Sequence, residues 1–204
     1  MEIELSEAEI RVLGALMEKE LTTPDYYPLS LNALKNACNQ STNRAPQVNY
    51  NDTVVNEALT SLIEKKLAWD AHLSRVTKYG QNLTEKLNMV PREAIVLALL
   101  MLRGPQTVGE LRGRADRVHH FENLEEVDEV LENLKEWGLI CQLPRQAGRK
   151  ECRYTHCFSK PTSAPPGTIR KTEPAVSAPT PGDAKIAILE AEIQTLRAEL
   201  DTLK

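Results

Sequence analysis

The chain has 204 residues, with 25 Lys/Arg against 29 Asp/Glu and a net charge of −4. That length can hold two small domains, each with a core of its own. Residues 1–160 alone carry 20 basic and 23 acidic side chains. This excludes a general phosphate-binding surface, so any nucleic-acid contact must come from local patches.

The start, Met1-Glu2-Ile3-Glu4-Leu5, lacks the basic head and apolar core of a signal peptide. The longest apolar run, residues 94–102, is far shorter than the roughly 20 residues of a membrane span. A cytoplasmic protein with no membrane contact is expected. Cys38, Cys141, Cys152 and Cys157 contain no CxxC pair, so reduced and mostly buried thiols are expected. A zinc site on Cys152, His156 and Cys157 is the alternative. Neighbours on a strand face opposite sides, which weakens it, and no metal or cofactor is expected.

In chain order, Ser6-Glu7-Ala8-Glu9 is a capping box, with Leu5 and Ile10 placed as a hydrophobic staple. Ile10, Leu13 and Met17 then recur at helical spacing with Leu16 beside them. A second helix is expected from about Ser30 to Cys38, followed by a polar, turn-like stretch over 39–50. A third helix carries Val55, Leu59 and Leu62 on one stripe. Residues 67–73 and 75–79 read as two strands. Helix, helix, helix and hairpin is the order of a winged helix.

The pattern returns from Pro91, a residue suited to a first helical turn. Glu9, Val12, Leu13, Leu16, Met17 and Lys19 match Glu93, Val96, Leu97, Leu100, Met101 and Arg103 at an offset of 84. Val55, Leu59, Leu62 and Leu67 match Val127, Leu131, Leu134 and Leu139 at 72. Two periodic stretches matching in one order indicate a tandem duplication. The 12 additional residues of the first copy are expected in its prolyl loop and in 39–50. The run 94–102 is apolar nearly all round, so it needs a second cover, from the other copy or a partner subunit.

Between these copies, Leu102-Arg-Gly-Pro-Gln-Thr-Val-Gly-Glu-Leu-Arg112 joins an apolar helix to a short one opened by the box Thr107-x-x-Glu110. With Arg114, Arg117, Leu143-Pro-Arg-Gln-Ala-Gly148 and Arg153-Tyr-Thr-His156, this stretch resembles the YceH family of bacterial proteins. Asn39-Gln40, Asn43-Arg44, and Ser74-Arg75-Val76 with Lys78-Tyr79 agree. The resemblance covers about residues 3–158. It implies a tandem winged-helix fold and no particular activity. It marks Asn39, Gln40, Asn43, Arg44, Arg75, Lys78, Tyr79, Arg103 and Arg112, whether for binding or for holding loops.

No phosphate-cradling glycine loop, HExxH or nucleophile elbow is present. The pair His119-His120 lies in a loop without a second ligand cluster, so a non-enzymatic role is expected. In winged helices the third helix enters the major groove and the wing touches backbone or minor groove. The second copy's third helix is a poor reader: residues 122–136 hold seven acids and one lysine, which phosphate repels. Its Glu125, Glu129 and Glu132 suit a basic protein partner instead. Its wing is the reverse, with Arg145, Arg149, Lys150 and Arg153 against Glu151. In the first copy Asn56, Thr60 and Ser61 are placed to bond base edges, with Arg44, Arg75 and Lys78 as phosphate anchors. Double-stranded DNA binding of regulator type is the first expectation, and a protein-interaction scaffold the alternative.

Residues 160–184 hold six of the twelve prolines and are expected to be a disordered linker. Beyond it Ile186, Ile193 and Leu200 fall at a, and Leu189, Leu196 and Leu203 at d. The g-to-e′ pairs Lys185–Glu190, Glu192–Arg197 and Glu199–Lys204 all join opposite charges, which favours a parallel two-stranded coil and a homodimer. The expected class is therefore mainly α with small hairpins (α+β). Winged helices span 1–88 and 89–159, a linker 160–184 and a coiled-coil helix 185–204.

Overall fold

The structure, a computed structural model, describes residues 3–72, 76–145, 148 and 151–159. The chain divides into two compact units, Met1–Thr162 and Ser163–Lys204. The expected linker and coiled coil (Ile186, Leu189, Ile193, Leu196, Leu200 and Leu203) lie outside the described residues. The described part is a mixed α+β fold of seven α-helices and two small antiparallel sheets.

Helix α1 (Glu7–Thr22) opens on the expected box. Ser6 accepts the Glu9 N–H, and Glu9 accepts the Ser6 N–H at 2.7 Å. Leu5 and Ile10 are both buried beside it. A single 3-10 turn (Pro24–Tyr26) and strand β1 (Leu29–Ser30) lead into α2 (Leu31–Cys38), capped by Ser30. Asn51 caps α3 (Asp52–Glu64). Strands β2 (Ala68–Ala71) and β3 (Lys78–Gln81) form the hairpin, and β1 adds to the far side of β3. A one-turn helix α4 (Leu83–Lys86) follows. It has a single buried side chain, Leu83, too little for a periodic signal.

The hairpin differs from its expected limits. The first strand stops at Ala71 and the second begins at Lys78, three residues later than expected. Packing sets this register. Trp69 pairs with Gly80 and lies so close that a Cβ there would sit 2.3 Å from its ring. The indole N–H also donates to the Gln81 carbonyl at 3.2 Å.

The second copy runs α5 (Pro91–Arg103), α6 (Val108–Ala115), α7 (Leu124–Glu136), β4 (Ile140–Leu143) and β5 (Arg153–His156). α1 and α5 begin 84 residues apart; α3 and α7 match end to end at 72, as do β2 and β4. The additional residues of the first copy lie in a longer α1, in 23–30 against 104–107, and in 39–51 against 116–123. The third strand of the first sheet shrinks in the second copy to one bridge, between Gln106 and Tyr154.

Every residue of α5 from Glu93 to Leu102 is buried, and α1 is the second cover. Gly14 permits the contact: a Cβ at that position would lie 3.1 Å from Met101 Cβ and 3.2 Å from Leu102 Cγ. The buried side chains of both copies form one continuous cluster. Each fully buried leucine there contributes about 1.5–3 kcal/mol. Among the cysteines only Cys38 is buried; Cys141 and Cys152 are half-buried and Cys157 is exposed. A two-stranded hairpin has one face in water, so thiols expected to be mostly buried emerge there.

Candidate functional site

The α3 face begins from Asn51, whose cap fixes the helix start and turns Val55, Leu59 and Leu62 inward. Asn56 and Thr60 are left exposed. With Asp52, Thr53, Glu57, Ser61 and Glu64 they line a shallow groove holding three carboxylates and no cation. The Thr60 hydroxyl donates to the Asn56 carbonyl at 3.0 Å. Lys78 is half-buried on β3, while Arg75 lies outside the described residues.

Arg44 is not a phosphate anchor. Its side chain is fully buried, and its guanidinium donates to both oxygens of Glu18 at 3.1 and 2.6 Å. It also holds the carbonyls of Ala37 and Asn43. The loop 39–51 folds inward onto α1, so this arginine ties the loop down. Asn39 and Tyr50 close the same loop by exchanging two bonds of 2.8 Å.

Arg103, Arg112, Arg114 and Arg153 also bond within the fold. Arg103 donates to Asn43, and Arg112 to the carbonyls of Phe121 and Glu122 at 3.0 and 2.7 Å. Arg114 meets Gln106 at 2.5 Å. Arg153 donates to the Pro105 carbonyl at 2.7 Å and to both oxygens of Glu110 at 3.0 and 3.3 Å. Glu110 closes the capping box with Thr107 as well. Burial opposes its charge, yet the Thr107 N–H and Arg153 hold its carboxyl below the usual range. Arg145 remains exposed, and its donation to Cys152 at 3.3 Å lowers that thiol. Arg149 and Lys150 lie outside the described residues.

The α7 face carries Glu125, Asp128, Glu129 and Glu132, all exposed, around a second shallow groove with Asn133. Partial burial and the charges of Glu125 and Glu132 raise the Asp128 carboxyl. Lys135 answers Glu132 at 3.1 Å from the rim. Two other acids belong to the helix start: Asn123 caps the Glu126 N–H, and the Glu126 carboxylate accepts from Glu122 N–H. Of the loop histidines, His120 pairs with Asp116 at 2.6 Å and His119 stands edge-on to buried Phe121.

Two buried charges escaped the sequence reading, Glu18 and Arg11. Both sit on a helix whose charged positions ordinarily face water. Arg11's place inside the run Ile10–Leu13 was the available signal.

A family model described as "Protein of unknown function, DUF480" matches residues 5–149. The chain belongs to the DUF480 family. The DUF480 match spans both copies and stops inside the second hairpin. Full-length relatives carry the description "UPF0502 protein". One from Solibacter usitatus is 47% identical over 100% of this chain and 98% of the relative. One from Pelobacter propionicus is 48% identical over 100% and 95%. A third, from Geotalea daltonii, is 54% identical over 78% of this chain and 74% of its own. No helix among the described residues is long and apolar enough to cross a membrane.

Proposed function

We propose that the chain is a non-enzymatic docking module of two winged-helix units whose α7 face receives a basic protein segment. The carrying observation is the α7 groove: four exposed carboxylates crowd it, and partial burial together with the charges of Glu125 and Glu132 raises Asp128. A cationic partner relieves that repulsion, whereas phosphate adds to it. Both copies support the winged-helix assignment through their order of three helices and a hairpin. The heptads beyond residue 185 support a homodimer.

Duplex DNA is the second reading, through α3. Its support is the exposed pair Asn56 and Thr60; against it stand the groove's three acids and the loss of Arg44 to Glu18. One titration separates them. The full-length protein is mixed at low salt with a fluorescent Lys/Arg-rich peptide and, separately, with a mixed-sequence duplex. The docking reading expects peptide binding that Glu125→Lys, Glu129→Lys and Glu132→Lys together abolish. Duplex retention that survives those changes, with no peptide binding, overturns it.

A further inference from the structure

Arg11 stands on α1 where the second copy, at the offset of 84, has Ile95; both are buried, at 4% and 2% exposure. An apolar side chain therefore suffices for the fold there. Among the described residues the guanidinium donates to the Pro46 carbonyl at 2.6 Å, and its Nη1 has no hydrogen-bond partner. Among the described residues no carboxylate forms an ion pair with it. Glu7 lies one turn earlier, at the spacing that favours such a pair, yet stays exposed. A buried charge without a counter-charge is destabilising, and arginine cannot escape by losing its proton.

Arg11 lines a cavity of about 190 Å³ between the loop 45–50, α1, the end of α5 and β5. His156 lines it too, and its buried Nδ1 is also without a partner. Burial holds that imidazole neutral by pushing its pKa down. The equivalent residue in the first copy, Gln81 at an offset of 75, is fully engaged by Thr84, Glu20 and the Tyr27 hydroxyl. Arg11 and His156 thus line one space, and both depart from what the other copy does. Ile10, Val48 and Met101 give the cavity an apolar side. Its volume equals about six water molecules at liquid density.

We propose that this cavity binds a small organic monocarboxylate, whose charge is met by Arg11 and whose body rests on Ile10, Val48 and Met101. Carboxylate matches a guanidinium edge and a neutral ring nitrogen. A phosphate dianion would need more donors than Arg11 and a neutral imidazole supply, and its second charge would double the repulsion from Glu7, which also lines the space. The site is separate from the α7 groove, so it stands or falls independently of the docking reading.

The test follows melting of the full-length protein against benzoate, with benzamide, inorganic phosphate and sodium chloride at matched ionic strength. Benzoate is expected to raise the melting temperature with saturation, and the other three are not. Arg11→Met should melt at least as high as the parent without ligand, because it removes an unpaired buried charge, and should bind benzoate at least tenfold more weakly. Val48→Phe narrows the cavity while leaving Arg11 in the chain, and should abolish the response. Benzoate stabilisation no larger than that of benzamide or chloride overturns the proposal, leaving the cavity to water. So does an unchanged response in either variant.

Discussion

Glu9 and Glu93 occupy equivalent places in the two copies, and each accepts the backbone N–H three residues before it. Their second partners differ. Glu9 also holds Ser61 at 2.7 Å and Lys65 at 2.5 Å, tying α1 to α3 with charge. Among the described residues Glu93 has Asn133 alone as its second partner, accepting from its amide at 3.5 Å. The same contrast recurs in the loops: the first copy folds 39–51 over a buried Arg44–Glu18 pair, and the second makes its shorter link with none. The second copy holds its shorter link with Arg112 on the Phe121 and Glu122 carbonyls, whereas the first uses a buried ion pair to hold additional chain. The additional chain is also what walls the Arg11 cavity.

Four measurements break or sharpen this contrast. Arg44→Met strands Glu18 in the interior and should cost about 3–5 kcal/mol in chemical denaturation. Adding Glu18→Gln should recover part of that loss; equal losses in the single and double variants would mean the pair is not coupled. In the hairpins, Gly80→Ala drives a methyl into the Trp69 ring and should cost about 1–3 kcal/mol. Its counterpart Thr155 already carries a Cβ, so Thr155→Ala should cost less than about 1 kcal/mol.

Glu9→Gln should cost about 1–3 kcal/mol through weakened charged hydrogen bonds. Burial alone would raise this carboxyl, but Lys65, Ser6 and Ser61 bring it from 4.5 to about 2. Because the folded value is the lower one, its stabilisation is complete above pH 4.5 and fades as pH falls toward 2. An acid titration of stability should show that limb in the parent, lose it in Glu9→Gln and keep it in Glu93→Gln. The smallest effect belongs to the α7 surface. Glu129→Lys should leave stability within about 0.5 kcal/mol, and a larger loss would make that face part of the scaffold.

Features set by near neighbours were legible in the sequence. The boxes at Ser6 and Thr107 and the helical stripes all depend on residues three or four apart. What failed depends on distance along the chain. Arg44 read as a free cation because its partner lies 26 residues away on another element. The strand starting at 78 rather than 75 is set by a tryptophan lying on a glycine across the hairpin. The acid face of α7 was legible because charge patterning on one helix is local. The Arg11 cavity was not, since its walls come from four separate segments.

The packing of α1 on α5 joins equivalent helices, a contact otherwise made between two copies of one protein. In a symmetric dimer every substitution appears on both sides at once. Covalent linkage removes that constraint, since each helix is encoded separately. Gly14 opposite Met101 and Leu102, with Ala98 at the matching position of α5, shows the freedom in use: one side has been trimmed while the other kept its methyl. Arg11 against Ile95 is the same licence applied to charge.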